Sequence, residues 1–597
     1  MVYSRAHAQQ GCRTLPNITL DSDKLHYGFI EQLTFDEISE YGDFDYYQQQ
    51  YQIYKNAGYI RTSAQILKIL LNFLKLERKE EKLINLLNSE IFNLDSVPDN
   101  VKKSLAFIYQ DKQKPRIIFY SVAWTKGGLE TVLKTVFAHI NNDYEIILIS
   151  NFGKGKKGFP LPKNVRHLQI KNVKDESLTR RLFLSSVVFE TDVFIGNSNI
   201  YLEVLKVYKL LKSVNIKTIA VNHGNYFLPY STKFLYKTSM DRLSYLDDAN
   251  IVTWLTTFNT QVYNLTNNNG YVLPNPNSYP ITDCIPSKKG KTILCVGRFY
   301  DSIKRIDRAL KVFKLVLEEH NDAQLVLVGP YNENQVFSAE GNKTLKEILK
   351  NLNIPEANIK WVGEVSDVTP YYKSADLLLV TSESEGFCMV INEAAAFGVP
   401  CVYFKIAGLE DIITNNVNGI EIEQDDIKTM ACKITELFAN REILNEMGIN
   451  AQKLVERFET QKIINKWRFL IELCLNNSNE QISEILAAEI STTNNLLSNS
   501  FAKNLVSEYE KNINKIIMDY NESIAFIEQK LSNIQTSDYE IAIKEEMQLA
   551  GSKNNIHRKK IAKNKIWRFF YRVALRPCLK LVYGVDKVHT KFDVRFT

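Results

Sequence analysis

Two glutamates, Glu385 and Glu393, are separated by seven residues in the stretch Ser382-Glu383-Ser384-Glu385-Gly386-Phe387-Cys388-Met389-Val390-Ile391-Asn392-Glu393. A carboxylate accepts paired hydrogen bonds from vicinal hydroxyls, so two of them in one place suit a polyhydroxylated ligand. Upstream, Arg298 and Lys304 stand six residues apart in Gly297-Arg298-Phe299-Tyr300-Asp301-Ser302-Ile303-Lys304. Two cations on one loop suit a departing diphosphate, whose growing negative charge must be stabilised without waiting for solvent to reorganise. Charge-assisted hydrogen bonds of that kind contribute roughly 1.5–3 kcal/mol each. Further upstream, Gly127-Gly128 allows backbone to approach a phosphate or a sugar closely.

Each group follows an apolar run that reads as a buried parallel strand: Ala375–Val380 before Glu385, Thr292–Val296 before Arg298, and Arg116–Val122 before the glycine pair. Helical patterns follow, with Ala394 to Ala396 after Gly386 and a helix opening near Asp307 whose amino-terminal dipole would add to the cations. The chemical residues therefore belong in strand-to-helix loops, at the carboxyl ends of strands where open α/β sheets bind ligands.

In this order and spacing the motifs resemble those of the retaining nucleotide-sugar glycosyltransferases of family four, with their E-x7-E signature. The resemblance covers residues 116–475. It implies the GT-B architecture, two facing Rossmann-like domains, and it implies roles. Arg298 and Lys304 would grip the donor diphosphate, Glu385 the hydroxyls of the transferred sugar, and Glu393 the nucleotide ribose. Backbone donors of Gly386, Phe387 and Cys388 would face sugar and phosphate, and Gly127 and Gly128 the donor from the first domain. His223, in Val221-Asn222-His223-Gly224-Asn225, matches a family histidine near the anomeric centre. Retention of configuration comes from the resemblance alone. The catalytic set is thus Glu385, His223, Lys304 and Arg298, with no metal and no cofactor beyond the nucleotide-sugar co-substrate. Two departures stand out: Ala407-Gly408-Leu409-Glu410-Asp411 replaces a Gly-Gly-x-Pro-Glu pattern, and Asn197 stands where many members have histidine. Both leave the sugar and the acceptor open. An inactive GT-B scaffold subunit and a nucleotide-sugar epimerase on the same fold are the alternative readings.

The chain of 597 residues is too long for one core. Its fold class is α/β, with added helical segments at both ends. Residues 1–110 form a helical extension of unknown role, with a core helix expected around Ile66–Leu76. Alternating strands and helices place a first Rossmann-like domain, on the acceptor side, at 116–283, and a second, on the donor side, at 290–475. Leu273-Pro274-Asn275-Pro276-Asn277 opens the link between them, and a final helix near 450–475 is expected to cross back. Residues 480–550 read as a long amphipathic helix. Its apolar stripe from Leu497 to Ile534 suits a coiled coil and a homo-oligomer.

The net charge of +6 conceals an asymmetry. Residues 553–595 carry thirteen Lys or Arg against Asp586 and Asp593, interleaved with Trp567, Phe569, Phe570 and Tyr571. That pattern suits an anionic membrane surface, and no nucleic-acid module accompanies it. The eight cysteines show no metal spacing and read as small buried hydrophobes. With neither a secretory signal nor a spanning stretch in sight, the expected location is cytoplasmic, peripheral on the inner face of the cell membrane. Asp21-Ser22-Asp23 and Asp43-Phe44-Asp45 fit a metal-binding D-x-D pattern, but neither follows an apolar strand, so both read as solvated acids. The expected partners are a nucleotide-sugar donor and a glycan or lipid-linked acceptor.

Overall fold

The computed structural model describes residues 42–494 apart from 111, 126, 152–157, 172–175, 198–201, 227–244, 282–289 and 338–342. The Asp21-Ser22-Asp23 acids, the 497–534 stripe, the 553–597 tail, and Cys12, Cys284 and Cys578 lie outside the described residues.

Seven strands form the first sheet: β1 (Arg116–Ser121), β2 (Glu145–Asn151), β3 (Val165–Ile170), β4 (Val193–Gly196), β5 (Lys217–Val221), β6 (Ile251–Trp254) and β7 (Gly270–Val272). They are parallel throughout, in the order β3-β2-β1-β4-β5-β6-β7. The second sheet is built from β8 (Thr292–Val296), β9 (Gln324–Val328), β12 (Ile359–Gly363), β13 (Leu377–Val380), β14 (Cys401–Phe404) and β15 (Gly419–Ile422). It too is parallel, ordered β12-β9-β8-β13-β14-β15. A short antiparallel ribbon, β10 (Val336–Phe337) with β11 (Lys343–Thr344), stands apart. In each sheet the strand order reverses once, between β1 and β4 and between β8 and β13. Such reversals part the flanking loops and open a crevice at the carboxyl ends.

The central strands are buried along their whole length, which is why their apolar runs are legible. The strands β3, β7 and β15 lie at sheet edges, where the apolar signal is weaker. β3 mixes buried with partly exposed residues, and its Arg166, His167 and Gln169 break the apolar run. Asn418 closes a turn and Gly419 opens β15.

Side chains alternate across a strand, and the first sheet uses both faces. Ile118, Tyr120, Ile147 and Ile149 meet Leu67, Leu70 and Phe92 from the amino-terminal helices, while Ile117, Phe119, Ile146 and Leu148 meet Val132, Phe137 and Trp467. The described part of the amino-terminal extension is therefore built into the first domain's core. Its Ile60–Leu76 helix buries Ile66, Leu67, Leu70, Leu71 and Leu74 on one face. Glu90, 5% exposed, fastens this layer: its carboxylate accepts from Tyr51 Oη at 2.5 Å and pairs with Lys55 at 2.8 Å and Arg180 at 3.1 Å. A charge so buried is kept only where partners surround it. Burial disfavours the Glu90 carboxylate, but the hydrogen bonds from Lys55 and Tyr51 outweigh that, and the pKa is lowered.

The crossing back differs from the single helix expected near 450–475. The helix Arg441–Val455 ends, a 3-10 turn Glu456–Phe458 follows, and a new helix Thr460–Asn476 begins. A straight helix could not leave the second domain and lie on the first, so the chain bends, and Phe458 packs edge-on against Phe387 at 5.3 Å. The outgoing link meets the returning one here, where Asn277 N donates to Phe458 O at 2.9 Å. Trp467, 1% exposed, then packs on Phe119 of β1. The next helix, Asn479–Asn494, buries Ile482 and Leu486 in the same core.

Candidate functional site

β13 and β8 are neighbours, and their outgoing loops hold each other. Lys304 closes a single 3-10 turn, Ser302–Lys304, in which the Ile303 amide is bound by the Asp301 side chain at 3.2 Å. From the β13 loop, Thr381 Oγ1 donates to the carbonyls of Lys304 (3.3 Å) and Arg305 (3.0 Å), and Glu383 N donates to Ile303 O at 2.8 Å. This clamp brings Lys304 Nζ to 2.7 Å from Glu385 Oε1. Burial alone would weaken the ammonium, but the Glu385 carboxylate overrides it and the Lys304 pKa is raised. The lysine is a fixed cation. A pocket opens beside the pair, lined by Val296, Phe299, Thr381, Ser382 and Val390.

Arg298 does not join this pair. Its side chain is 64% exposed and turns to Asp301, at 3.6 Å. Asp307 is wholly buried and committed to Arg305, with contacts of 3.0 and 2.7 Å, so the charge near the helix start is already neutralised.

Glu393 lies on the helix Met389–Ala396, partly buried, and accepts from Tyr372 Oη at 2.7 Å. Burial pushes its carboxyl up, against the opposing effect of the Tyr372 hydroxyl. The Phe387 ring belongs to the core, 3% exposed, which leaves only its backbone for a ligand. Cys388, 5% exposed, begins the helix in the left-handed region at φ 51°.

The first sheet supplies the opposing wall. Gly127 is extended and precedes the helix Gly128–Ile140. A side-chain carbon on Gly128 would lie 3.6 Å from the Met389 sulfur, so this helix start faces the start of the Glu393 helix. Gly386 is tighter still: a carbon there would lie 2.2 Å from the His223 carbonyl oxygen. Only glycine lets the Glu385 loop touch the loop after β5. The His223 ring, partly buried, meets Asn197 Oδ1 through Nε2 at 2.8 Å, and burial pushes its pKa down to about 4, so the ring is neutral near pH 7. Glu385, Lys304, Gly386, Met389, Gly128 and His223 thus meet across the two strand-order reversals.

Three supporting residues escaped the sequence reading. Thr381 carried a weak signal as the end of a strand, whereas Tyr372 comes from a separate short helix, Thr369–Ser374, that nothing in the local sequence ties to Glu393. Asp411, in the departing Ala407–Asp411 segment, accepts from Thr257 N at 2.5 Å and so adds, from the second domain, to the cap that Thr256 makes on the first-domain helix Thr257–Asn264. Asp411→Ala should lower stability by about 0.5–2 kcal/mol, the usual cost of losing a cap, read as a lower urea midpoint at an unchanged slope. Asp43 also caps a helix, accepting from Tyr46 N at 2.9 Å. Among the described residues, no three His, Cys, Asp or Glu side chains cluster closely enough to hold a metal ion.

Residues 285–454 match the family model for glycosyl transferases group 1. The chain is 30% identical over 268 residues to an uncharacterized glycosyltransferase of Haemophilus influenzae, covering 44% of this chain and 71% of that one. It is 24% identical over 308 residues to the poly(glycerol-phosphate) alpha-glucosyltransferase of Bacillus subtilis, covering 50% of this chain and 44% of that one. Among solved structures, a mutant of S. aureus TarM, in complex with Fondaparinux, alpha-GlcNAc-glycerol and UDP, superposes with a TM-score of 0.50 at 15% identity, over 61% of this chain and 100% of that one. At that identity the likeness speaks for the fold, and the fold is GT-B. With its two facing parallel sheets, the loops that meet between them and these relatives, the chain belongs to the group 1 glycosyltransferases.

Proposed function

We propose that this protein moves a sugar from a nucleotide-sugar donor to a glycan or lipid-linked acceptor, with retention of anomeric configuration, in the synthesis of a bacterial cell-surface polysaccharide. The observation that carries the reading is the Lys304–Glu385 pair, 2.7 Å apart, on a loop that touches the His223 loop of the other domain. A donor laid across this contact puts its diphosphate beside the ammonium and its sugar hydroxyls beside the carboxylate. Lys304 then stabilises the charge that develops as the nucleoside diphosphate leaves, and Glu393 holds the ribose. Exposed Arg298 has the reach to swing onto the diphosphate once the donor arrives. The acceptor hydroxyl attacks from the face the diphosphate leaves, and the leaving oxygen helps to take its proton. A carboxylate held by a lysine is poorly placed to act as a nucleophile, which favours this path over a double displacement. The B. subtilis relative, a poly(glycerol-phosphate) alpha-glucosyltransferase by name, supports a polymeric acceptor.

The test is a panel of UDP- and GDP-sugars with candidate acceptors, read as released nucleotide and as product mass. No release from any donor by the folded chain would overturn the reading. Because a lysine faces the diphosphate position, transfer is expected to survive excess EDTA. Loss with EDTA that manganese restores would replace Lys304 with a metal ion in this mechanism.

The basic-aromatic tail at 553–597 is proposed to hold the enzyme on an anionic membrane, where a lipid-linked acceptor would lie. Each Lys or Arg near such a surface contributes on the order of 1 kcal/mol, which salt screens. The full chain should sediment with anionic vesicles less as salt rises, and a chain lacking 553–597 should not. Equal sedimentation of both would remove the tail from this role.

A further inference from the structure

The loop that carries Glu385 is tied to the β8 loop through Thr381 and Glu383. Between those two, Ser382 meets a residue from another strand. Gln424, two residues past the end of β15, donates from Nε2 to the carbonyl of Lys405 at 2.9 Å and to that of Ser382 at 3.5 Å. An amide nitrogen carries two hydrogens, one for each carbonyl, provided the amide turns its nitrogen toward them. Arg308, on the helix Ile306–Glu319, decides that orientation, because its Nη1 donates to Gln424 Oε1 at 2.8 Å. The arginine is kept at a cost. Its side chain is 5% exposed, and its Nε–H has no partner among the described residues. Burial, with Arg305 nearby, pulls its pKa down. Its ion pair is with Asp425, at 2.6 Å, a carboxylate that water already solvates at 66% exposure. An apolar side chain would fill the place over the Phe404 ring with no unpaired donor, so a buried arginine there calls for a role beyond packing.

We propose that Arg308 and Gln424 are positioning residues of the transfer reaction: the arginine orients the amide, and the amide holds the Ser382 carbonyl so that Glu385 is presented beside Lys304. The inference rests on the glycosyltransferase reading above. Neither residue lines the pocket beside the Lys304–Glu385 pair, whereas Thr381 and Ser382 do, so both act through the loop. With Gln424 in place the loop is tied at three successive residues, Thr381, Ser382 and Glu383, before the chain reaches Glu385. The first and third ties lead to the β8 loop. The middle one leads to the ends of β14 and β15, which sets the loop against both of its neighbours in the sheet.

The test uses the full chain and three substitutions. Gln424→Glu still accepts from Arg308 but sets a carboxylate oxygen against both carbonyls. Arg308→Met removes the orienting group, keeps the bulk, and leaves behind only an exposed Asp425. Each should lower kcat about 10-fold, less than the roughly 10² that a full ångström of misplacement costs. Affinity for UDP and GDP, measured by calorimetry, should stay within about twofold, because Lys304 and Glu393 hold the nucleotide. Glu385→Gln alters the group through which the pair acts, so adding Gln424→Glu to it should change kcat by less than about twofold. Backbone hydrogen exchange in a peptide spanning 381–386 should quicken in both single variants, with exchange in β9 as in the wild type. Wild-type kcat in Gln424→Glu would overturn the proposal, and wild-type kcat in Arg308→Met alone would strike the arginine from it. A further 10-fold loss on adding Gln424→Glu to Glu385→Gln would mark a merely structural role and overturn it as well. If the wild type releases nucleotide from no donor, the functional reading fails. Exchange at 381–386 then still decides whether the pair holds the loop, and unchanged exchange overturns that.

Discussion

Lys304→Ala is expected to lower turnover by about two to three orders of magnitude, the scale for losing one preorganised electrostatic contact to a developing charge. Lys304 is not a loose surface cation. Its turn is pinned by Thr381 and Glu383, and its ammonium is held 2.7 Å from Glu385. The substitution removes the charge and also leaves Glu385 without its partner, so affinity for the sugar should fall as well as the rate. Lys304→Arg is not a rescue, because a planar guanidinium cannot occupy the position of a compact ammonium. The measurement is steady-state release of nucleotide by protein whose thermal unfolding matches the wild type. Turnover within about tenfold of wild type would remove Lys304 from the diphosphate.

Gly386→Ala should lower kcat/KM by about a hundredfold while leaving each domain folded. The added carbon would lie 2.2 Å from the His223 carbonyl, a backbone atom that cannot rotate away. The two loops must then part by about an ångström, and misplacement on that scale costs on the order of 10² in rate. The change touches no charged or hydrogen-bonding side chain. A large loss therefore tests whether the contact between the domains matters in its own right. Retained activity would mean that catalysis proceeds with the loops apart.

Much of this architecture is legible in the chain because the central strands of a parallel sheet are covered on both faces. Ile117 to Tyr120 and Leu377 to Val380 are buried at every position, so they read as unbroken apolar runs. Edge strands lack that signature: β3 carries Arg166, His167 and Gln169 and yields no clear pattern. The bend at Glu456–Phe458 is likewise invisible locally. It exists because the chain must pass from one domain to the other, a demand that no short stretch of sequence expresses.

At the site, residue types and spacing by themselves determined that Lys304 and Glu385 lie in strand-to-helix loops and Glu393 on the helix that follows. Spacing also suggested that Arg298 and Lys304 act together. In the tertiary structure Asp301, three residues on, faces the exposed Arg298, while Glu385, far along the chain, takes Lys304. The partners of His223 and Glu393, namely Asn197 and Tyr372, and the contact of Gly386 with His223 came from the fold alone. Periodicity reports which face of an element is buried and where its loops emerge. Which distant loop a side chain then meets depends on strand order and on the packing of two domains, and these are settled only when the whole chain has folded.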